Sequence, residues 1–251
     1  MTASGSLLLA NANCTLDVSR IRTLWKPNGN KGMDSVMRDY KRRFFELALS
    51  KGNLRFGRFT LKSGRTSPYF FNAGGFDDGQ SLSALAACYA DTIMDSSSAF
   101  DMLFGPAYKG IPLAAAVAIA LNDHHDLNVP YAYNRKEAKE HGEGGRIVGA
   151  PLKGRVLVID DVISAGTSMR ESIEIIREGG AEPAGIAIAL DRQERGSGPL
   201  SAAQEVQAEH GIPCIAIAGL GDLLSYLETS GKPDIDIAAI EAYRDRYGTQ
   251  N

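Results

Sequence analysis

The segment Val156-Leu157-Val158-Ile159-Asp160-Asp161-Val162-Ile163-Ser164-Ala165-Gly166-Thr167-Ser168 displays its chemistry most openly. Four apolar residues run into two adjacent acids, and a loop of small residues follows and opens a helix. From Ser164 to Ser168, successive backbone N–H groups and hydroxyls can meet a phosphate at the positive end of that helix. The acids would repel a phosphate, but they can accept hydrogen bonds from sugar hydroxyls or help hold a divalent metal. A phosphorylated sugar satisfies both halves, with its phosphate in the loop and its hydroxyls at Asp160 and Asp161. An ordinary strand-to-helix turn capped by Ser or Thr would use the same residue types. The chain has no Gly-Lys-Ser/Thr and no Gly-x-Gly-x-x-Gly, which removes the Walker A and dinucleotide loops.

Three further segments carry charge or flat rings. Phe104-Gly105-Pro106-Ala107-Tyr108-Lys109-Gly110 follows an apolar strand and ends where a helix begins. Its glycines permit close backbone approach and Lys109 adds a positive charge, although strand–Gly–Pro turns are common. Asn134 to Arg146 gathers Arg135, Lys136, Lys139, His141 and Arg146 with three glycines and no apolar anchor. Such a charge run is either a solvated surface loop or a lid. Phe59 to Asn72 contains Lys62 and the Phe70-Phe71 pair, and Asp191-Arg192-Gln193-Glu194-Arg195-Gly196 contains Arg192.

These segments need a frame. Strands are expected at Met102–Phe104, Val129–Tyr133, Val156–Ile159, Gly185–Leu190 and Cys214–Ala218. Helices are expected at Ile111–Leu121, Thr167–Glu178, Leu200–Glu209 and Asp222–Leu227. Alternation of this kind predicts right-handed crossovers and a mainly parallel α/β sheet covered on both faces. Ligands in such sheets bind at the carboxyl ends of the strands. Before this core, a helix from Tyr40 to Lys51, short strands at Leu54–Leu61 and Tyr69–Asn72, and a helix over Ser81–Met94 are expected. Residues 1–36 read differently: polar, aperiodic, and closing on the turn-rich Pro27-Asn28-Gly29-Asn30. They are expected to be a disordered or dispensable extension, with a short partner-binding arm as the alternative, and residues 37–251 to form the functional domain.

The whole composition sets limits. In 251 residues, 27 basic and 30 acidic side chains give a net charge of −3, so any anionic ligand must be met locally. A nucleic-acid partner would call for a basic excess. No apolar run approaches the ~20 residues of a membrane span. Cys14, Cys88 and Cys214 lie far apart, which argues against a disulfide framework and a structural zinc. With no signal-like amino terminus, a cytoplasmic location is expected, without nucleic-acid or membrane partners.

The run from Val156 to Ser168 resembles the phosphoribosyl diphosphate (PRPP) signature of the type I phosphoribosyltransferases. The segments Phe59–Asn72, Asn134–Arg146 and Asp191–Gly196 narrow the resemblance to the bacterial-type orotate phosphoribosyltransferase family, over about Met37 to Tyr247. The resemblance implies a type I phosphoribosyltransferase fold: a central, mainly parallel five-stranded sheet flanked by helices, with a small hood subdomain. It implies transfer of the 5-phosphoribosyl group from PRPP to orotate in pyrimidine synthesis, with Mg²⁺ held mainly through PRPP and no direct protein ligand assigned. Carried over, the PRPP contacts are Lys62, Tyr108, Lys109, Arg135, Lys136, Lys139, His141 and the run Asp160, Asp161, Val162, Ile163, Ser164, Ala165, Gly166, Thr167 and Ser168. The orotate contacts are Phe70, Phe71, Ser164 and Arg192, the aromatics giving a flat wall and Arg192 a cation. Catalytic roles fall to Lys62, Lys139, His141 and Asp161. The family also implies a homodimer whose lid, Arg135 to Arg146, reaches the neighbouring active site. Two rivals stay open: a phosphoribosyltransferase for another base, which would not need the Lys62 and Arg192 cations, and a PRPP-sensing regulator, which would need a basic face outside the lid.

Overall fold

The strand β6, Arg155–Ile159, lies inside the protein, with Val156, Leu157, Val158 and Ile159 all fully buried. Side chains of a strand alternate between faces, so four apolar residues in a row require cover on both sides. Leu157 and Ile159 enter one core, and Val156 and Val158 enter another. The computed structural model describes residues 37–61, 63–139, 145–163, 166–196, 198–231 and 234–249. The amino-terminal extension, 1–36, lies outside them.

Around β6 the described residues form a six-stranded sheet in the order β5-β4-β3-β6-β7-β8. Its other strands are β3 (Met102–Gly105), β4 (Tyr131–Lys139), β5 (Gly145–Gly149), β7 (Glu182–Asp191) and β8 (Cys214–Gly219). Five strands run parallel, as expected, and β5 adds an antiparallel edge beside β4. The helices α2 (Gly79–Asp95), α3 (Gly110–His125) and α6 (Leu220–Ser230) supply apolar side chains to the core that holds Leu157 and Ile159. On the other face α4 (Thr167–Glu178) sends in Met169, Ile173 and Ile176, and α5 (Ala202–His210) sends in Val206. Each fully buried aliphatic side chain contributes roughly 1.5–3 kcal/mol, so two separate cores hold β6 and the residues that follow it in place.

A hood stands beside the sheet. It comprises α1 (Asp39–Ser50), the antiparallel hairpin of β1 (Leu54–Thr60) and β2 (Thr66–Phe71), and α7 (Ile237–Tyr247). Phe44, Phe45 and Ala48 of α1 are buried, and Phe44 meets Phe71 edge-on at 5.7 Å. Tyr69 is fully buried and packs edge-on against Tyr243 of α7 at 6.3 Å. The sequence pattern misses α7, because only Ile240 and Tyr243 are buried on it and so narrow a stripe scarcely registers. It also places the end of β4 too early. Beyond Tyr133 the strand keeps its extended form by pairing with β5, so the basic segment begins and ends as ribbon rather than loop. No described helix is long and apolar enough to cross a membrane.

Candidate active site

Chemistry collects where β6 ends. Asp160 and Asp161 are 8% and 7% exposed, and they stop the apolar strand at its carboxyl edge. Their backbone is firmly tied. The Tyr89 hydroxyl of α2 donates to the Asp160 carbonyl oxygen at 2.6 Å. The Asp161 N–H donates to Asp160 Oδ1, and the Val162 N–H donates to Asp161 Oδ1, both at 2.9 Å. Asp161 Oδ2 accepts from Lys109 Nζ at 2.6 Å, which brings the Gly105–Gly110 turn to the acid pair. Two glycines permit that approach: a Cβ on Gly105 would lie 2.2 Å from the Gly110 carbonyl oxygen, and one on Gly110 would lie 2.8 Å from that of Ile159.

The electrostatics follow from this crowding. Burial, and then the neighbouring Asp161 charge, push the Asp160 carboxyl up to about 7, and Lys109 offsets only part of that rise. A carboxyl raised from 3.8 in the unfolded chain to about 7 in the folded one binds the extra proton in the folded state. Folding stability therefore falls as pH rises through that window. Asp160→Asn removes the titration, and calorimetry between about pH 4 and 7 is expected to show a flatter dependence of Tm on pH than in the wild type. An unchanged slope would contradict a protonated Asp160.

A cleft of about 480 Å³ opens over these residues. It is lined by Tyr108, Lys109, Lys136, Asp160, Asp161, Val162, Ile163, Gly166, Thr167 and Ser168, together with Pro106, Ala107 and Met169. Gly166 takes a left-handed conformation, φ 72°, at the point where α4 begins, so the loop turns sharply into the helix and presents its N-terminus to the cleft. Ten of the residues expected at PRPP thus share one cavity. Lys62, His141, Ser164 and Ala165 lie outside the described residues, as does the side chain of Lys139. Arg135 is half-buried on β4 and is not among the cleft's lining residues, whereas Lys136 is.

The residues expected at the base are placed differently. Phe70 and Phe71 are consecutive on β2 and face opposite ways. Phe71 packs on Phe44 and Phe76, while Phe70 lies against Phe59 with the Arg55 guanidinium 5.4 Å from its ring. The two rings therefore do not form one flat wall. Arg192 follows β7, the neighbour of β6, and so sits at the same carboxyl edge of the sheet. Its guanidinium lies 4.2 Å over the Tyr69 ring and donates to Ser67 Oγ at 3.0 Å and Glu194 Oε1 at 2.8 Å. Nothing in the sequence alone points Tyr89, Ser67 or Glu194 to the site. Tyr89 reads there as one more apolar-face residue of α2, and its bond to Asp160 spans 71 positions.

No described cluster of three or more His, Cys, Asp or Glu side chains could hold a metal. Asp160 and Asp161 are two carboxylates that each accept one backbone N–H, with Lys109 as a cationic partner on Asp161, and they fit a cation carried in largely by a ligand's own oxygens.

Residues 76–212 match the phosphoribosyl transferase domain family. The chain is 61% identical over 212 residues to the orotate phosphoribosyltransferase of Thioalkalivibrio sulfidiphilus, covering 84% of this chain and 100% of that one. With that of Cronobacter sakazakii it shares 58% over 212 residues, at the same coverage. Among solved structures it is similar to an orotate phosphoribosyltransferase from Francisella tularensis, with TM-score 0.75, 41% identity, and coverage of 82% and 99% of the two chains.

Proposed function

The chain belongs to the orotate phosphoribosyltransferases, and from that premise we propose how its own residues divide the work. The enzyme transfers the 5-phosphoribosyl group of PRPP to orotate, giving orotidine 5′-monophosphate and diphosphate in pyrimidine biosynthesis. The observation that carries the residue-level reading is the Lys109–Asp161 pair on the floor of the cleft, beside the start of α4.

The 5′-phosphate binds in the loop Val162 to Ser168, at the N-terminus of α4. The ribose hydroxyls donate to Asp160 and Asp161. Lys109 then exchanges its carboxylate partner for the leaving diphosphate, which lies along Tyr108, Lys109 and Lys136. Orotate N1 attacks C1 as the C1–O bond to diphosphate breaks, with inversion and an oxocarbenium-like transition state, and the N1 proton is lost to solvent as the N–C bond forms. Charge on the leaving group is the main thing to be stabilised, and Lys109, Arg135 and Lys139 supply cations for it. Asp161 favours positive charge on the ring, and His141 donates a proton or hydrogen bond to the departing diphosphate. Mg²⁺ brought in on PRPP would supply further charge neutralisation at the diphosphate, with Asp160 and Asp161 as the carboxylates of the cleft that would help hold it.

Lys62 also contacts PRPP in this reading, and Phe70, Phe71, Ser164 and Arg192 contact orotate. Since the two rings face apart, orotate meets the backbone edge of β2 at Phe70–Phe71 rather than a pair of stacked side chains. The active protein is a homodimer in which the lid, Arg135 to Arg146, reaches over the neighbouring site, while Lys136 at its root stays on the cleft of its own chain. It works in the cytoplasm, and residues 1–36 are dispensable to the domain at 37–251.

Arg192 tests the base assignment. Its loss removes one charge-assisted contact to the orotate carboxylate, worth about 1.5–3 kcal/mol or roughly 10–100-fold in affinity. Calorimetric titration of Arg192→Ala is expected to show orotate weakened by that factor and PRPP within about twofold. Equal weakening of both ligands would mean that Arg192 serves the hood through Ser67 and Tyr69 and not the base.

A further inference from the structure

β3 and β4 pair as parallel neighbours up to Gly105 and Tyr133, where their backbone ladder stops. The next residue, Pro106, has no N–H, so the first donor beyond the ladder is that of Ala107. A side chain takes it: Asn134 Oδ1 accepts the Ala107 N–H at 2.8 Å. Asn134 is 5% exposed, and an amide buried that deeply is costly unless bonded. In effect the side chain extends the β3–β4 ladder by one bond, past the point where proline ends it.

The turn held in this way is close-packed. A Cβ on Gly110 would lie 2.5 Å from Pro106 Cδ, and the Gly110 N–H returns to the Pro106 carbonyl at 3.0 Å. Lys136, two residues along β4 and on the same face as Asn134, places its Nζ 5.3 Å from the Tyr108 ring. One face of β4 therefore reaches the turn twice, once at its backbone through Asn134 and once at its exposed tip through Lys136.

We infer that Asn134 is a positioning residue for the leaving diphosphate. It fixes the backbone of Ala107 to Lys109 in the conformation that receives this group and joins the turn to the strand that carries Arg135 and Lys136. Asn134 itself touches no substrate. The inference rests on the reading of this turn as the diphosphate site.

Binding of inorganic diphosphate with Mg²⁺, and separately of ribose 5-phosphate, to the full chain tests it by calorimetry. Asn134→Ala is expected to weaken diphosphate about tenfold, the loss of one well-placed hydrogen bond, and to leave ribose 5-phosphate within about twofold. Asn134→Thr keeps a polar, strand-favouring residue but draws its oxygen back from the Ala107 N–H, and it serves as the second variant with the same selective loss expected. In turnover, both variants raise the KM for PRPP and spare that for orotate. Equal weakening of the two ligands, or no weakening, would overturn the inference. A wild-type protein that binds ribose 5-phosphate but no diphosphate would overturn the assignment of the turn, and this inference with it.

Discussion

Asp161→Asn is expected to lower kcat/KM for PRPP by about 10²–10³-fold, equivalent to about 3–4 kcal/mol of transition-state stabilisation. The substitution is nearly isosteric, and its remaining oxygen still accepts the Val162 N–H, which Asp161 Oδ1 holds at 2.9 Å. Two interactions go. The ribose loses a charged acceptor, and Lys109 loses the carboxylate 2.6 Å away that presets its side chain over the cleft. Removing one of two adjacent buried charges also relieves Asp160, whose carboxyl is raised partly by Asp161. The variant therefore folds at least as stably as the wild type near neutral pH, and its defect lies in turnover and PRPP affinity. Steady-state kinetics with a matched thermal melt checks both halves. Full activity at an unchanged Tm would remove Asp161 from the reaction.

Lys139→Ala is the second large effect, expected to cut turnover by about 10²–10³-fold, as loss of one preorganised donor at a developing charge does. The KM for PRPP is expected to change much less, because the contact strengthens as diphosphate departs. The same variant tests the dimer. If the basic segment of one subunit closes over the site of the other, a heterodimer of Lys139→Ala with Asp161→Asn has one site carrying both defects and one carrying neither. An equal statistical mixture should then recover about a quarter of wild-type activity, since half its dimers are mixed and each has one intact site of two. Isolated heterodimers that remain inactive would place the lid within its own chain.

Much of the frame was legible because its signals are local. Val156 to Ile159 followed by two acids reads as a strand buried on both faces and ending at a site, and each of its features lies within six residues. The glycine at 166 announces the turn into α4 in the same way. What escaped depends on distant partners. The bond from Tyr89 to the acid pair and that from Asn134 to Ala107 join residues far apart in sequence, and each donor or acceptor looks ordinary in its own element. β5 and the outer half of β4 escaped for a related reason. Most of their residues are charged or glycine, with Ile147 and Val148 the one adjacent aliphatic pair, and their extended form comes from pairing with each other rather than from apolar alternation. The opposed rings of Phe70 and Phe71 follow from strand alternation alone, but chemistry suited to a flat base drew them onto one wall.

The reaction itself is tested most directly by following the ultraviolet absorbance of orotate with purified protein, PRPP and Mg²⁺. A decay is expected that requires protein, PRPP and Mg²⁺ together and releases diphosphate in equal amount to the orotate consumed. No decay with orotate, but diphosphate release with uracil or a purine base in its place, would contradict the assignment of the base.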